Sequence, residues 1–153
     1  MNVGSFITSE KETYGIFSDG YAQSVTDEFI FEYNSLRDVL EKDSLSLMYE
    51  NALGTSKLKH SKIKFLPPLI NPTKIICVGM NYRKPYPIDG QKVSDPNNII
   101  LFGKNREAML AHLDFLESPV GDASNSFDYE GEIAVVIGKQ ARNVAPANAH
   151  EYI

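Results

Sequence analysis

The sequence predicts an α+β fold that is mostly β, with a small meander-and-helix part over residues 1–70 and a strand-rich part over residues 71–153. Three observations predict it: short apolar runs separated by turn residues, two amphipathic stripes, and a long strand-like run near the C-terminus. With 153 residues, the chain is long enough to bury a core without disulfides. It corresponds to one domain, or one domain with a small cap.

Composition excludes several classes of function. Fifteen Lys and Arg against 20 Asp and Glu give a net charge of −5, which argues against a nucleic-acid or anionic-membrane partner. The lone Cys77 allows no internal disulfide and fits a reducing compartment. No signal peptide is visible, and the longest apolar stretch, residues 133–137, is far too short to span a membrane. We therefore expect a soluble cytoplasmic protein.

The first segment has the pattern of a β-meander. Short apolar runs lie at residues 3–7 and 14–17, and a returning run covers residues 21–25. The Asp19-Gly20 pair separates the second and third runs and is typical of a tight hairpin turn.

Two short helices are predicted next. Ser35 with Asp38 three residues later forms a variant capping box at the start of the first. Asp43 or Ser44 can cap the second, which ends at Gly54. The apolar stripe of this second helix is interpreted as core packing, and its members are Leu45, Met48, Tyr49, Ala52 and Leu53.

Residues 55–72 have the composition of a boundary. They carry four lysines and His60, then Pro67-Pro68 and Pro72, which stiffen the chain. The basic run could dock a polyanion or form a solvated connector, and the negative net charge favours the connector. His60, His112 and His150 are interpreted as surface residues.

The second segment contains three strand candidates. They cover residues 74–78, 98–102 and 127–137, and the last is apolar on both faces in its second half, as in a strand covered on each side. Residues 106–116 fit a short helix or a loop. Residues 146–152 have the pattern of a helix start, with Pro146 at an early position.

The most informative motif is Glu130-Gly131-Glu132. Residues i and i+2 share one face of a strand, so the two carboxylates would point the same way, about 6.5–7 Å apart at Cα. Carboxylates at that separation can converge on a hard divalent cation such as Mg²⁺. The alternative is a solvated acidic strand end, which this spacing also fits.

Three stretches together resemble the fumarylacetoacetate hydrolase family. They are residues 72–82 (PTKIICVGMNY), residues 98–104 (NIILFGK) and residues 128–138 (DYEGEIAVVIG). Their order and spacing match those of the family. The preceding meander, the helix at Ser35, the Leu66-Pro67-Pro68 connector and the final residues 149–153 are also similar to that family. The resemblance covers nearly the whole chain.

The resemblance implies a mixed β-roll, a homodimer, and a Mg²⁺ or Mn²⁺ site for small 2-oxo or acylpyruvate-type acids. It implies hydrolysis, isomerisation or decarboxylation through a metal-stabilised enolate. By this analogy Glu130 and Glu132 are metal ligands, and Lys104 contacts a substrate carboxylate. A plain surface lysine is the alternative for Lys104.

Two departures from the family pattern bear on activity. The family's catalytic His position is Pro85, and the matching Glu position is Ile88, with Asp89 one residue later. The third metal ligand of the family, an Asp beyond the Glu-x-Glu segment, has no match after Glu132. We therefore expect at most weak hydrolase activity, with an enolate step that needs no activated water as the retained chemistry. The alternative is an inactive member that acts only by self-association.

Overall fold

The computed structural model describes residues 1–9, 11–81 and 97–153. It confirms the α+β, strand-rich fold class. The chain divides into two compact units, one formed by residues 1–70 and 110–153 and the other by residues 71–109. The strands are β1 (Asn2–Ile7), β2 (Glu12–Ser18), β3 (Tyr21–Ser24), β4 (Leu58–Lys59), β5 (Lys64–Phe65), β6 (Ile75–Gly79) and β7 (Ile100–Lys104). The α-helices are α1 (Asp27–Glu32), α2 (Leu36–Glu41) and α3 (Leu45–Leu53).

The predicted meander is confirmed, and it forms the centre of a five-stranded antiparallel sheet. The strand order is β4-β3-β2-β1-β5, and β2 pairs along its length with β1 and over four residues with β3. Gly20 has φ +75° in the β2–β3 turn, a conformation that glycine adopts without a steric penalty. This turn thus fixes the register of β2 against β3.

Residues 55–72 do not form a free connector, contrary to the sequence interpretation. They supply both edge strands, since β4 pairs with β3 and β5 pairs with β1. The link from Lys59 to Lys64 can span at most about 17–18 Å. Opposite edges of a flat five-stranded sheet would lie about 19 Å apart before any offset along the strands. The short link therefore requires the sheet to curl.

Aromatic rings fill the inside of this curl. Phe17 lies 5.4 Å from Phe6 and 5.7 Å from Phe65, measured between ring centroids. His60 packs edge-on against Phe17 and Phe65 and is half-buried. The prediction of a surface His60 is therefore wrong: the β4–β5 link carries the imidazole over the aromatic cluster. His112 and His150 are exposed, as predicted.

The helices cover one face of the sheet. The Ser35 cap is confirmed, because its hydroxyl accepts a hydrogen bond from the Asp38 N–H at 3.3 Å. Met48 and Ala52 are fully buried on the predicted stripe of α3 and join the core around Tyr14 and Val39. Helix α1 was not predicted from the sequence, and the Thr26 hydroxyl caps it by accepting a hydrogen bond from the Phe29 N–H.

Buried polar groups tie the helices to the sheet. The Tyr14 hydroxyl donates to the Tyr33 carbonyl at 2.5 Å, and Ser44 donates to the Tyr33 hydroxyl at 3.1 Å. Burial, with smaller contributions from the nearby Asp38 and Tyr33, raises the pKa of Tyr14 above its ordinary value. The Gln23 amide donates to three carbonyls at the end of α3, those of Ala52, Leu53 and Thr55.

The unit of residues 71–109 contains an antiparallel hairpin of β6 and β7, in register from Ile75 opposite Lys104 to Gly79 opposite Ile100. Both predicted strands are thus confirmed. Residues 106–108 form a single 3₁₀ turn, and the stretch from 109 to 116 continues as loop. Pro146–Tyr152 forms a 3₁₀ helix with the proline at its start, as the sequence indicates.

The strand predicted over residues 127–137 is not formed. The chain runs there without a turn or a sharp bend, but no described strand pairs with it, and residues 128–137 are all exposed. A strand needs a hydrogen-bonded neighbour as well as a suitable sequence. The expected cover on both faces is therefore absent among the described residues. No helix among those residues is long and apolar enough to cross a membrane.

Gly15 offers a direct test of the sheet. A Cβ at this position would lie 2.0 Å from the Gln23 carbonyl oxygen, which is backbone and cannot move aside. We expect Gly15→Ala to lower the free energy of unfolding by about 1–3 kcal/mol or more, measured by urea denaturation. Gly131→Ala is the matched control, since nothing lies within 4 Å of its Cβ position. Equal stability of both variants would contradict the β2–β3 register.

Candidate functional site

The acidic motif lies in the exposed, irregular stretch of residues 128–137. Glu130 and Glu132 are both exposed, and the space beside the Gly131 between them is open. The pair is thus accessible to an ion and to a small substrate from solvent. That both carboxylates leave the same side of the chain requires strand geometry and stays a prediction, because no strand is formed over these residues.

The donor chemistry of this pair fits a hard cation, because carboxylate oxygens are the ligands that Mg²⁺ and Mn²⁺ prefer. The number of ligands is small. Among residues 1–9, 11–81 and 97–153, no group of three or more His, Cys, Asp or Glu side chains is arranged to hold a metal ion. Glu130 and Glu132 can therefore supply two ligands, and the other positions would belong to water or substrate oxygens.

Lys104 lies at the end of β7, directly opposite Ile75 of β6. Its side chain is exposed, and the structure gives it no ion pair within the described part of the chain. A strand backbone held in register fixes the point from which the ammonium group extends. Lys104 belongs to the unit of residues 71–109, and the glutamate pair belongs to the other unit.

The positions that depart from the family pattern in the loop after β6 lie outside the described residues. These are Pro85, Ile88 and Asp89. The described part of that loop ends at Asn81, after Met80, which has φ +52°.

Residues after the acidic motif were missed by the sequence analysis. Lys139 and Arg142 follow the apolar run, just as Asp128, Glu130 and Glu132 precede it. Lys139 and Ala134 line an open concavity of about 310 Å³ together with residues of α2 and α3, among them Leu40. The sequence alone shows that acidic residues precede the apolar run and basic residues follow it, so this charge pattern could have been found without the structure.

Comparison with known proteins gives the class of the chain. Residues 74–153 match the family profile described as fumarylacetoacetate (FAA) hydrolase C-terminal. This range holds the β6–β7 hairpin, Lys104 and the glutamate pair. The chain belongs to the fumarylacetoacetate hydrolase family, whose members are hydrolase- and isomerase-type proteins and generally bind divalent metals.

Three relatives illustrate the likeness. An uncharacterized protein of Archaeoglobus fulgidus is 44% identical over 60% of this chain and 34% of its own length. The mitochondrial oxaloacetate tautomerase fahd2 of Xenopus laevis is 35% identical over 69% of this chain and 35% of its own length. The oxaloacetate tautomerase YisK of Bacillus subtilis is 29% identical over 83% of this chain and 40% of its own length.

The chain thus spans between about a third and two fifths of the length of these relatives. No solved structure matches it significantly.

Within the part of the chain that the structure describes, no backbone hydrogen bond joins the stretch around the glutamate pair to another strand, and this has a measurable consequence. We expect the backbone amides of residues 131–137 to exchange with deuterium at nearly unprotected rates in dilute solution, while those of β2 exchange at least about a thousand times more slowly. Hydrogen exchange followed by mass spectrometry measures both in one sample. Strong protection of residues 131–137 at the lowest protein concentration would contradict the exposed arrangement.

Proposed function

We propose that this chain carries the cation- and substrate-binding residues of a tautomerase-type enzyme for oxaloacetate-like 2-oxo acids. The observation that carries the proposal is the exposed Glu130-Gly131-Glu132 motif inside the family match. The names of two relatives, both oxaloacetate tautomerases, favour isomerisation over hydrolysis.

Glu130 and Glu132 are the proposed ligands of Mg²⁺ or Mn²⁺. When bound, the cation would supply positive charge beside the enolate oxygen of the acid. The two carboxylates leave most of the coordination positions to water and substrate, so we expect weak binding by the chain alone. The open space beside Gly131 gives a small acid access to the site.

Lys104 is the proposed contact to a carboxylate of the acid. An ammonium group on a short exposed strand can donate charge-assisted hydrogen bonds to such a group. This contact would orient the acid in the site.

Tautomerisation also suits the sequence departures. It moves a proton between carbon and oxygen within one molecule and consumes no water. A histidine that activates water is therefore dispensable, and Pro85 in its place counts against hydrolysis more than against isomerisation. The second candidate, an inactive member acting by self-association, is favoured by the exposed apolar run of residues 133–137.

Metal binding tests the first proposal most simply. We expect Glu132→Gln to weaken Mn²⁺ binding about ten-fold or more. Substitution of residues that only hydrogen-bond to a metal ligand already lowers metal affinity by that factor, and Glu132 is a proposed ligand itself. Electron paramagnetic resonance of free Mn²⁺ measures the affinity, and the enol absorbance of oxaloacetate measures turnover. Glu117→Gln is the matched control, an exposed glutamate outside the motif. Equal affinity and equal turnover in both variants would remove the site.

Lys104→Met tests the substrate contact separately. We expect about ten-fold or more weaker binding of oxalate, a stable mimic of a 2-oxo acid, with Mn²⁺ affinity unchanged, since a charged hydrogen bond contributes about 1.5–3 kcal/mol. Calorimetry measures the oxalate affinity. Lys64→Met is the control, because Lys64 is also exposed and lies on a strand. An equal loss of oxalate affinity in both variants would show that the net positive charge of the chain, and not a contact with Lys104, determines oxalate binding.

A further inference from the structure

The segment from β4 to β5 carries a row of exposed lysines in a chain whose net charge is −5. Exposed and half-buried residues alternate along it, as neighbouring residues of a strand do. The half-buried members are Leu58, His60, Ile63 and Phe65. The exposed lysines are Lys57, Lys59, Lys62 and Lys64, and these four residues are the lysine row.

The fold fixes the backbone of the lysine row. The His60 N–H in the middle of the row donates to the Gly20 carbonyl at 2.9 Å, and the His60 ring packs against Phe17. β4 and β5 on either side are paired with β3 and β1. The lysines therefore extend from fixed points at the two edges of the curled sheet, and not from a free loop.

The positive charge of the row is not neutralised within the described part of the chain, where none of the four lysines forms an ion pair. Successive lysines are two or three residues apart in the sequence, so their Cα atoms are at most about 10–11 Å apart. This is close to the screening length of about 8–10 Å at moderate salt. The ammonium groups therefore repel one another, and a negatively charged partner would relieve that repulsion.

The chemistry beside the lysines distinguishes between classes of anionic partner. Single-stranded nucleic acids are bound with exposed aromatic rings on which bases stack, whereas the rings of this segment, His60 and Phe65, pack against Phe17. Membrane-surface segments add exposed apolar anchors, whereas Leu58 and Ile63 are half-buried. An acidic protein segment needs neither feature.

We propose that the lysine row docks an extended acidic segment of another protein. Alternate residues of an extended chain lie about 6.5–7 Å apart on one face. Lys57 and Lys59 have this sequence spacing, and so have Lys62 and Lys64. A segment in which acidic residues alternate with others therefore matches both lysine pairs in charge and in spacing. The lysine row contains no residue of the proposed cation or substrate site, so this proposal and the proposed enzymatic function can each fail alone.

Binding of labelled peptides to the full chain tests the proposal by fluorescence anisotropy. We expect saturable binding of a peptide in which glutamate alternates with serine, weakening as salt is added. A peptide of the same composition with its glutamates grouped at one end should bind more weakly, because its charges do not match the spacing of the row.

Charge reversal within the row identifies the site. Lys59→Glu combined with Lys62→Glu should weaken binding of the alternating peptide about ten-fold or more, because each change replaces an attraction by a repulsion. Replacing the same two lysines by glutamine should have a smaller effect in the same direction. Lys74→Glu combined with Lys139→Glu is the matched control, since it changes the net charge equally at two exposed lysines outside the row, and it should leave the affinity nearly unchanged. Circular dichroism of each variant verifies that the fold is retained.

Four results would overturn the proposal. The first is equal weakening by the control pair, which would show an effect of net charge alone. The second is equal affinity for the alternating and grouped peptides. The third is tighter binding of single-stranded oligouridylate, or of vesicles containing phosphatidylserine, than of the alternating peptide. The fourth is a dimer in sedimentation velocity that Lys59→Glu with Lys62→Glu disperses, which would make a second copy the occupant of the row.

Discussion

A strand forms only where it has a hydrogen-bonded neighbour, and this requirement is the main constraint on the C-terminal part of the chain. Residues 128–137 hold the two glutamates of the proposed cation site and the apolar run beside them, yet within the described residues they lack a paired strand. An unpaired strand cannot hold two carboxylates as rigidly as a sheet does. Strand pairing and the strength of cation binding are therefore linked: whatever pairs with this segment would also preorganise Glu130 and Glu132.

In the N-terminal part, the strands find their hydrogen-bonded neighbours within the same sheet. β2 has a neighbour on each side, and the curl imposed by the short β4–β5 link closes the sheet around Phe17 and Phe65. The helices cover one face of this sheet, and buried hydrogen bonds such as that from Tyr14 to Tyr33 fix their position. In this part of the chain β1, β2 and β3 therefore each have a strand neighbour on both sides.

Local signals in the sequence predicted the elements that local interactions define. The Asp19-Gly20 turn, the Ser35 cap and the stripe of α3 depend on neighbours within a few residues, and all three are present. The edge strands β4 and β5 were missed because each has only two residues and exists through pairing with distant strands. The strand predicted over residues 127–137 also depends on pairing. Its sequence pattern is typical of a strand, but no strand among the described residues pairs with it. The identity of the acidic pair came from its motif, whereas its exposure could only come from the coordinates.

The central claim is that Glu130 and Glu132 together bind a divalent cation, and paramagnetic broadening by Mn²⁺ in NMR spectra of the labelled chain tests it most directly. We expect substoichiometric Mn²⁺ to broaden the backbone amide signals of residues 129–133 first. Broadening that begins at other acidic positions, such as Asp27 and Glu28 at the start of α1, with the signals of residues 129–133 unchanged, would contradict it.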